Sequence, residues 1–236
     1  MSANKPDPQR FVFAPAAQPV VPVAGESRGF PVHRIYCVGQ NYREHAREMG
    51  DSGREPPFFF AKPADAVCLD PAVPYPAQTQ NLHHEVELVV ALGSGGTNVG
   101  AEEALDLVYG YSVGVDLTRR DLQAVAKQAG RPWTTAKGFD RSAPLAPLQP
   151  VGRCGHPRNA AIRLSVNGTL RQQGNTADMT WSVAEVLAEL SRYFELQPGD
   201  LVFAGTPPGI GPLVPGDQVK CEIEGVARLE FRMEAR

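Results

Sequence analysis

The sequence has few cysteines and no cysteine pattern typical of a zinc or redox motif. Its four cysteines, Cys37, Cys68, Cys154 and Cys221, are widely separated and include no C-x-x-C pair. Such spacing gives no disulfide framework and no metal-binding cluster of thiols. We therefore expect a reduced, cytoplasmic setting.

The chain also lacks long apolar and long basic runs. No stretch of about 18 uninterrupted apolar residues occurs, so we expect no membrane span. Residues 11–24 are largely apolar, but three prolines interrupt them and no strongly basic segment precedes them, which argues against a signal peptide. The net charge is −3 without a basic block, which argues against a nucleic-acid binder. A small molecule is the expected partner.

Turn-forming residues are abundant and lie between short apolar runs. The 22 prolines and 23 glycines are spread along the 236 residues rather than gathered in one linker. This pattern predicts strands joined by turns, and thus an α+β domain that is mainly β. The predicted strands cover residues 11–13, 35–38, 58–61, 86–92, 108–115, 161–166, 201–204, 218–223 and 227–233.

Helical periodicity is confined to a few segments. Residues 42–49 and 119–127 are candidates, and residues 182–193 show the strongest pattern, with Ser182 as the predicted N-cap. Between two of the strands, Asn167-Gly168 is typical of a type I′ hairpin turn.

Three acidic residues suggest a metal site. Glu85 and Glu87 begin a β-type run and, because strand side chains alternate, they point to the same face. Asp116 ends another apolar run, at the carboxyl end of a predicted strand. Three carboxylates suit a hard ion such as Mg²⁺ or Mn²⁺. The alternative is a solvated strand edge that faces lysine or arginine, and His83 and His84 are candidates for a neighbouring role.

Several short motifs, in order along residues 31–234, resemble the fumarylacetoacetate hydrolase superfamily. They are Gly39-Gln40-Asn41-Tyr42, His45 with Glu48, Phe60-Ala61-Lys62-Pro63, Glu85-x-Glu87, Asp116-Leu117-Thr118-x-Arg120-Asp121, Gly130-Arg131-Pro132-Trp133, Lys137-Gly138-Phe139-Asp140 and Gly205-Thr206-Pro207. The resemblance implies a mixed β-sandwich roll of the superfamily's C-terminal-domain type, usually homodimeric. It also implies Mg²⁺ or Mn²⁺ held by Glu85, Glu87 and Asp116. We expect residues 1–30 to form an extension, possibly a hairpin, before a catalytic domain at residues 31–236.

Within the superfamily, three stretches look similar to bacterial fumarylpyruvate hydrolases of gentisate degradation. They are residues 55–60, 83–85 and 117–121. This resemblance implies a hydrolase that acts on a carbon–carbon bond of a ketonic substrate and converts fumarylpyruvate to fumarate and pyruvate. Oxaloacetate decarboxylases and other acylpyruvases share most of these residues, as do hydratases or isomerases of related dienoic acids, and they are the alternatives.

The remaining site residues divide by proposed role. His45 and Glu48 lie three apart on a predicted helix, a spacing that suits a general base and the carboxylate that orients it, although a solvated helix face is the alternative. The resemblance assigns Lys137 to the substrate carboxylate or enolate, with a surface lysine as the alternative. For substrate binding we expect Lys62, Arg120, Gln123, Gly205 and Thr206, and Lys62 is also a candidate charge partner of the acidic site. A second carboxylate on the substrate needs another cation, for which Arg43, Arg54 and Arg120 are candidates.

Overall fold

A computed structural model describes residues 11–42 and 55–235 of the chain. Strands dominate, and the prediction of a mainly β, α+β fold of the mixed β-sandwich roll type is confirmed. In these described ranges no helix has the length and apolar character needed to cross a membrane.

Within residues 11–42 and 55–235, most of the regular structure consists of short strands, and the α-helices are few. The strands are β1 Val20–Pro22, β2 Gly29–Pro31, β3 Ile35–Gly39, β4 Phe58–Lys62, β5 Val67–Cys68, β6 Ala72–Pro74, β7 Leu82–His84, β8 Val86–Leu92, β9 Val108–Val115, β10 Thr118–Arg119, β11 Ala143–Pro144, β12 Gln149–Pro150, β13 Ala161–Val166, β14 Thr169–Asn175, β15 Leu201–Phe203, β16 Gly211–Leu213, β17 Gln218–Ile223 and β18 Ala227–Glu234. The α-helices are α1 Arg120–Gln128, α2 Thr134–Lys137, α3 Val151–Cys154 and α4 Val183–Tyr193.

The larger sheet has six strands in the order β12-β9-β8-β15-β3-β4. Strand β8 lies inside it and pairs antiparallel with both β9 and β15, whereas β15 and β3 run parallel. All seven residues of β8 are buried, since Leu88 and Val90 pack into one core cluster and Val89 and Ala91 into a second. A strand covered on both faces gives a continuous apolar run, which is how residues 86–92 appear in the sequence.

The smaller sheet has five strands in the order β14-β13-β17-β18-β6. One face of it closes the first core cluster, to which β13 contributes Ile162 and Leu164. The predicted turn between β13 and β14 is confirmed: Asn167 and Gly168 both have positive φ, 52° and 78°, and Val166 pairs with Thr169. Positive φ at both central residues is the requirement of a type I′ turn.

The amino-terminal part of the described chain differs from the predicted strand at residues 11–13. Those residues form bends rather than a strand, and Val12 and Phe13 are exposed. A strand needs a partner for its backbone groups, and none of the sheets includes this segment. The first strands are instead β1 and β2, which pair antiparallel and bury Val21 and Phe30 in the second core cluster. The predicted boundary between an extension and a catalytic domain at residue 30 stays a prediction.

The two longer helices lie where periodicity predicted them. Helix α4 begins after Ser182, whose side chain accepts a hydrogen bond from the Glu185 N–H while the Glu185 carboxylate accepts from the Ser182 N–H. This reciprocal pair is a capping box. Helix α1 begins one residue later than predicted, directly after the two-residue strand β10. The predicted helix at residues 42–49 lies outside the described residues, apart from Tyr42.

Candidate active site

The structure brings Glu85, Glu87 and Asp116 together where β8 begins and β9 ends in the larger sheet. Asp116 directly follows β9, and Glu85 sits between β7 and β8, so the antiparallel pairing of β8 with β9 places the three side chains side by side. Each offers a carboxylate oxygen, and these three oxygens lie within 4.8 Å of one another. All three residues are buried, and Asp116 is 0% exposed. Buried carboxylates at this spacing can hold a divalent cation with oxygen ligands.

In the described part of the chain, three cationic side chains surround these carboxylates. The Lys137 ammonium donates to Glu85 Oε2 over 2.7 Å and to Asp116 Oδ2 over 2.5 Å. The Arg120 guanidinium donates to the other oxygen of Glu85. Behind Asp116, the Lys62 ammonium lies 2.8 Å from Asp116 Oδ1 and is 0% exposed. Sequence spacing alone does not predict these contacts, because they join four separate segments of the chain.

The electrostatics of the site differ between its members. Burial, followed by the nearby charges of Asp116 and Glu85, raises the pKa of Glu87 well above its usual range. Desolvation alone would lower the pKa of Lys137, but the charges of Asp116 and Glu85 outweigh it and the net shift is upward. The ammonium of Lys137 therefore stays charged at neutral pH, while Glu87 ionises readily only when positive charge is placed beside it.

The glycine-rich loop after β15 contacts the acidic cluster through its backbone. The Gly205 N–H donates to Glu87 Oε2 over 2.7 Å, at a backbone φ of +98°. The Thr206 hydroxyl donates to the Val86 carbonyl over 2.8 Å, so its only hydrogen is already engaged. Thr206 carries two donors, its hydroxyl and its backbone N–H, and the backbone N–H is thus the one free of these bonds.

Gln172 is a site residue that the sequence analysis did not identify. It is 0% exposed, and its amide joins the carboxylate strand to the glycine-rich loop. Oε1 accepts from His84 Nδ1 at 2.8 Å and from the Val86 N–H at 3.1 Å, while Nε2 donates to Thr206 Oγ1 and to the Pro207 carbonyl, both at 2.8 Å. A glutamine in the middle of a hairpin strand carries no spacing signal, so only the fold reveals it.

His83 and His84, which precede Glu85, lie beside the cluster of three carboxylates and are not part of it. His84 is buried and bonded to Gln172. His83 Nε2 lies 2.9 Å from Asn81 Oδ1, and burial, followed by the charge of Arg120, lowers the pKa of His83 to about 4. Among the described residues, the group that could hold a metal contains only the three carboxylates.

A cavity opens over the carboxylates and shows which predicted residues face it. Gln123 lies there on α1, 8% exposed, and accepts from the Arg120 guanidinium. Lys62 does not line this cavity, so its placement favours the charge-partner interpretation over direct contact with substrate. The lining residues are Val38, Gly39, Gln40, Phe58, Phe60, Glu85, Glu87, Asp116, Arg120, Gln123, Trp133, Lys137 and Thr206. His45 and Glu48, together with Arg43 and Arg54, lie outside the described residues.

This fold and this acidic cluster define a known family of enzymes. Residues 34–234 match the family model described as fumarylacetoacetate (FAA) hydrolase C-terminal, and the chain belongs to that family. The match covers nearly the same residues as the ordered motifs did, so the resemblance stated from the sequence is confirmed.

Solved structures and characterised relatives give two functional comparisons. A fumarylpyruvate hydrolase from Pseudomonas aeruginosa, crystallised with Mn²⁺ and pyruvate, is 49% identical with a TM-score of 0.92, over 96% of this chain and 100% of that one. A putative fumarylpyruvate hydrolase from Burkholderia cenocepacia is 51% identical with a TM-score of 0.90, over 96% and 99% of the two chains. Oxaloacetate tautomerase YcgM from Escherichia coli is 42% identical over 198 residues, 83% of this chain and 90% of that protein.

Proposed function

We propose that this protein is a divalent-metal-dependent hydrolase that cleaves fumarylpyruvate, an acylpyruvate, to fumarate and pyruvate. The observation that carries the proposal is the buried group of Glu85, Glu87 and Asp116, whose oxygens lie within 4.8 Å of one another. The two solved structures near 50% identity, described as fumarylpyruvate hydrolases, support the choice of substrate.

Charge balance supports an anionic substrate. Among the described residues three cations, Lys62, Arg120 and Lys137, lie at the acidic cluster, so with all three carboxylates ionised the opposite charges cancel. A divalent ion held by the carboxylates supplies a Lewis acid that stabilises the negative charge developing on the pyruvate half of the substrate. Its charge leaves the site positive, which suits a substrate that carries a carboxylate next to a ketone.

The residues around the carboxylates have distinct proposed roles. Lys137 reaches the cavity with a charged ammonium and contacts the pyruvate carboxylate or enolate oxygen. The Thr206 N–H and the Gln123 amide bind and orient the same half of the substrate. Arg120 holds Glu85, and Lys62 holds Asp116, which keeps both carboxylates directed at the cavity.

In this proposal His45 and Glu48 activate the water molecule that attacks the substrate. His45 removes a proton from water, whose oxygen attacks the distal ketone. Glu48 orients the imidazole and stabilises its cationic form. The bond between that carbonyl carbon and the methylene carbon then breaks, the oxygen stays on fumarate, and the methylene carbon of pyruvate gains the proton.

The test is a direct assay with Mn²⁺-loaded enzyme. Loss of the diketo absorbance of fumarylpyruvate, with one pyruvate formed per substrate, is the expected result. In His45→Ala turnover should collapse while Mn²⁺ affinity measured by titration stays within about two-fold of wild type, because the base does not bind the ion. If the enzyme consumes oxaloacetate but leaves fumarylpyruvate unchanged, the hydrolase proposal is wrong.

The alternative function is turnover of oxaloacetate, by tautomerisation or decarboxylation, or hydration or isomerisation of a related dienoic acid. The specific observation in its favour is the 42% identity to an oxaloacetate tautomerase. All these reactions place negative charge on an oxygen of a 2-keto acid, so the same carboxylates and lysine serve them. A spectrophotometric comparison of kcat/KM for oxaloacetate and fumarylpyruvate decides between them.

The biological setting is also a proposal. We propose a cytoplasmic homodimer that acts in the breakdown of aromatic compounds of the gentisate type, with Mg²⁺ or Mn²⁺ as the ion. Light scattering coupled to size-exclusion chromatography tests the dimer. Truncation of residues 1–30 tests whether they are an extension separate from the catalytic domain, although Val21 and Phe30 are buried in the core.

A further inference from the structure

We propose that Arg131 binds the distal carboxylate of an extended acylpyruvate, at the outer end of an aromatic cleft that continues the catalytic cavity. This inference rests on the proposed function and assigns a specificity-determining residue to it. It concerns the half of the substrate that does not contact the metal site.

The cleft has a volume of about 410 Å³ and adjoins the catalytic cavity. Phe58, Phe60 and Trp133 line both spaces, so the cleft and the catalytic cavity meet at these three rings. From this we infer one path along the rings from the carboxylates to the surface. A cavity of this size is in the range that binds small molecules. The cleft is lined by Phe58, Phe59, Phe60, Ala61, Arg131, Pro132, Trp133 and Thr134.

The shared wall is aromatic and held in place by packing. The Trp133 ring lies 5.4 Å from the Phe58 ring and 5.8 Å from the Phe60 ring, both edge to face. The Phe58 ring lies across the backbone of Gly39, where an added Cβ would come within 2.0 Å of it. Rings in this arrangement offer flat apolar surface to a planar, conjugated acyl group.

The cations along this path differ in whether they are already paired. In the described parts of the chain, the cations that line the catalytic cavity are Arg120 and Lys137, and both donate to Glu85. Arg131 lines the adjoining cleft, is exposed, and makes no ion pair with any carboxylate in the described ranges. Among the described residues it is therefore the cation on this path that is available to a second carboxylate.

The backbone holds Arg131 at a fixed place beside the cleft. Its N–H donates to the Ala126 carbonyl over 2.8 Å, which closes the end of helix α1, and Gly130 supplies the φ of +61° that this turn requires. Pro132 follows and restricts the backbone further. An arginine at the mouth can bind a carboxylate through two parallel N–H bonds.

The substrate class follows from this arrangement. Fumarylpyruvate has a planar enoyl group for the aromatic wall and a terminal carboxylate for Arg131. Acetylpyruvate has the same diketo acid but lacks the second carboxylate, and oxaloacetate carries its second carboxylate next to the reacting carbons. The structure thus favours long dicarboxylic acylpyruvates over short ones.

The test compares Mn²⁺-loaded wild type, Arg131→Met and Arg131→Lys on fumarylpyruvate and acetylpyruvate. In Arg131→Met we expect the ratio of kcat/KM for fumarylpyruvate to that for acetylpyruvate to fall at least ten-fold, mainly through KM for fumarylpyruvate. Arg131→Lys should recover part of that ratio. Arg163→Met, an exposed change on β13, is the matched control and should leave the ratio unaltered.

Two outcomes separate the inference from the function on which it rests. If wild type hydrolyses fumarylpyruvate but Arg131→Met keeps the wild-type ratio, Arg131 does not bind the distal carboxylate and this inference is overturned. If Arg54→Met or Arg43→Met lowers the ratio instead, that arginine binds the distal carboxylate and the assignment to Arg131 is equally overturned. If wild type hydrolyses neither substrate, the proposed function fails, and the inference fails with it.

Discussion

The Gly205 N–H donates a 2.7 Å hydrogen bond to Glu87 Oε2, and this bond joins the glycine-rich loop to the acidic cluster. It fixes the direction of a carboxylate whose pKa burial has raised, and it leaves the other carboxylate oxygen for an ion. Only a residue that adopts a φ of +98° can place its N–H there, and an added Cβ would lie 2.6 Å from Asn41 Cβ.

Gly205→Ala should therefore weaken metal binding. Because groups that orient a metal ligand typically contribute about 10–100-fold in affinity, we expect a loss of about ten-fold or more for Mn²⁺, measured by calorimetric titration. Gly216→Ala is the matched control, since Gly216 has a φ of +97° but no atom within 4 Å of the added Cβ. Equal losses of Mn²⁺ affinity in both variants would mean that backbone strain alone, not the bond to Glu87, explains the effect.

Lys62→Met should lower the stability of the metal-free protein. The ammonium of Lys62 is fully buried 2.8 Å from Asp116, and removal of one partner of a buried ion pair costs about 3–5 kcal/mol. A divalent ion can replace the lost positive charge beside Asp116, so Mn²⁺ should raise the melting temperature more in this variant than in wild type. Differential scanning calorimetry with and without Mn²⁺ measures both effects.

The control for that substitution is Lys220→Met, which removes an exposed lysine 2.9 Å from Glu230. Exposed pairs contribute about 0–1 kcal/mol, so its melting temperature and its response to Mn²⁺ should match wild type. A Lys62→Met protein as stable as Lys220→Met would contradict the role assigned to Lys62.

The sequence predicted the long strands well and the short ones poorly. Strands β8, β9, β13 and β17 begin and end where their apolar runs do, because burial on at least one face imposes the pattern. Two-residue strands such as β5 and β10 have no room for periodicity, and long-range pairing creates them. The segment at residues 11–13 has strand-like residues but no partner strand in the sheets.

The same distinction applies to the site. Motif spacing was enough to identify Glu85, directly before strand β8, and Glu87, inside it. The approach of Asp116, Lys62 and Lys137 depends on sheet pairing and on helix α2, so their distances follow only from the fold. Gln172 was missed because its role comes from four hydrogen bonds to two separated segments, and a single polar residue in a strand gives no sign of them.

His156 should make the protein less stable in mild acid. Burial, followed by the charge of Arg158, lowers the pKa of His156 below 6.5, and its Nδ1 lies 2.7 Å from the Tyr111 hydroxyl. The unfolded chain then binds a proton more readily than the folded one, so the stability from this group is fully present above the unfolded pKa of about 6.5 and is lost as the pH falls from there through the folded pKa. Melting temperatures from pH 8 to pH 5 measure this slope.

In His156→Gln the melting temperature should fall less between pH 8 and pH 5 than in wild type, because glutamine does not titrate. Tyr111→Phe removes the hydroxyl but keeps the histidine, and it should retain most of the slope because burial is the larger cause of the pKa shift. Parallel curves for wild type and His156→Gln would show that other groups govern acid stability.

Gln172→Met should damage substrate binding more than metal binding. The substitution keeps much of the volume but leaves His84 Nδ1, the Val86 N–H and the Pro207 carbonyl without their partner, at a cost of about 1–3 kcal/mol for each buried group left unpaired. The loop that carries the Thr206 N–H should shift as a result. We expect KM to rise about ten-fold or more while Mn²⁺ affinity changes less, since the bond from Gly205 to Glu87 does not involve Gln172.

Gln172→Glu sharpens this prediction, because a carboxylate still accepts from His84 and Val86 but no longer donates to Thr206 Oγ1 and Pro207. Its KM should rise as in Gln172→Met, with a smaller loss of thermal stability. The adjacent Gln173→Met, at an exposed position on the same strand, should behave as wild type in both measurements. A kcat defect without a KM defect in the Gln172 variants would contradict the idea that this residue positions the loop, because it would place the damage at the reacting groups instead.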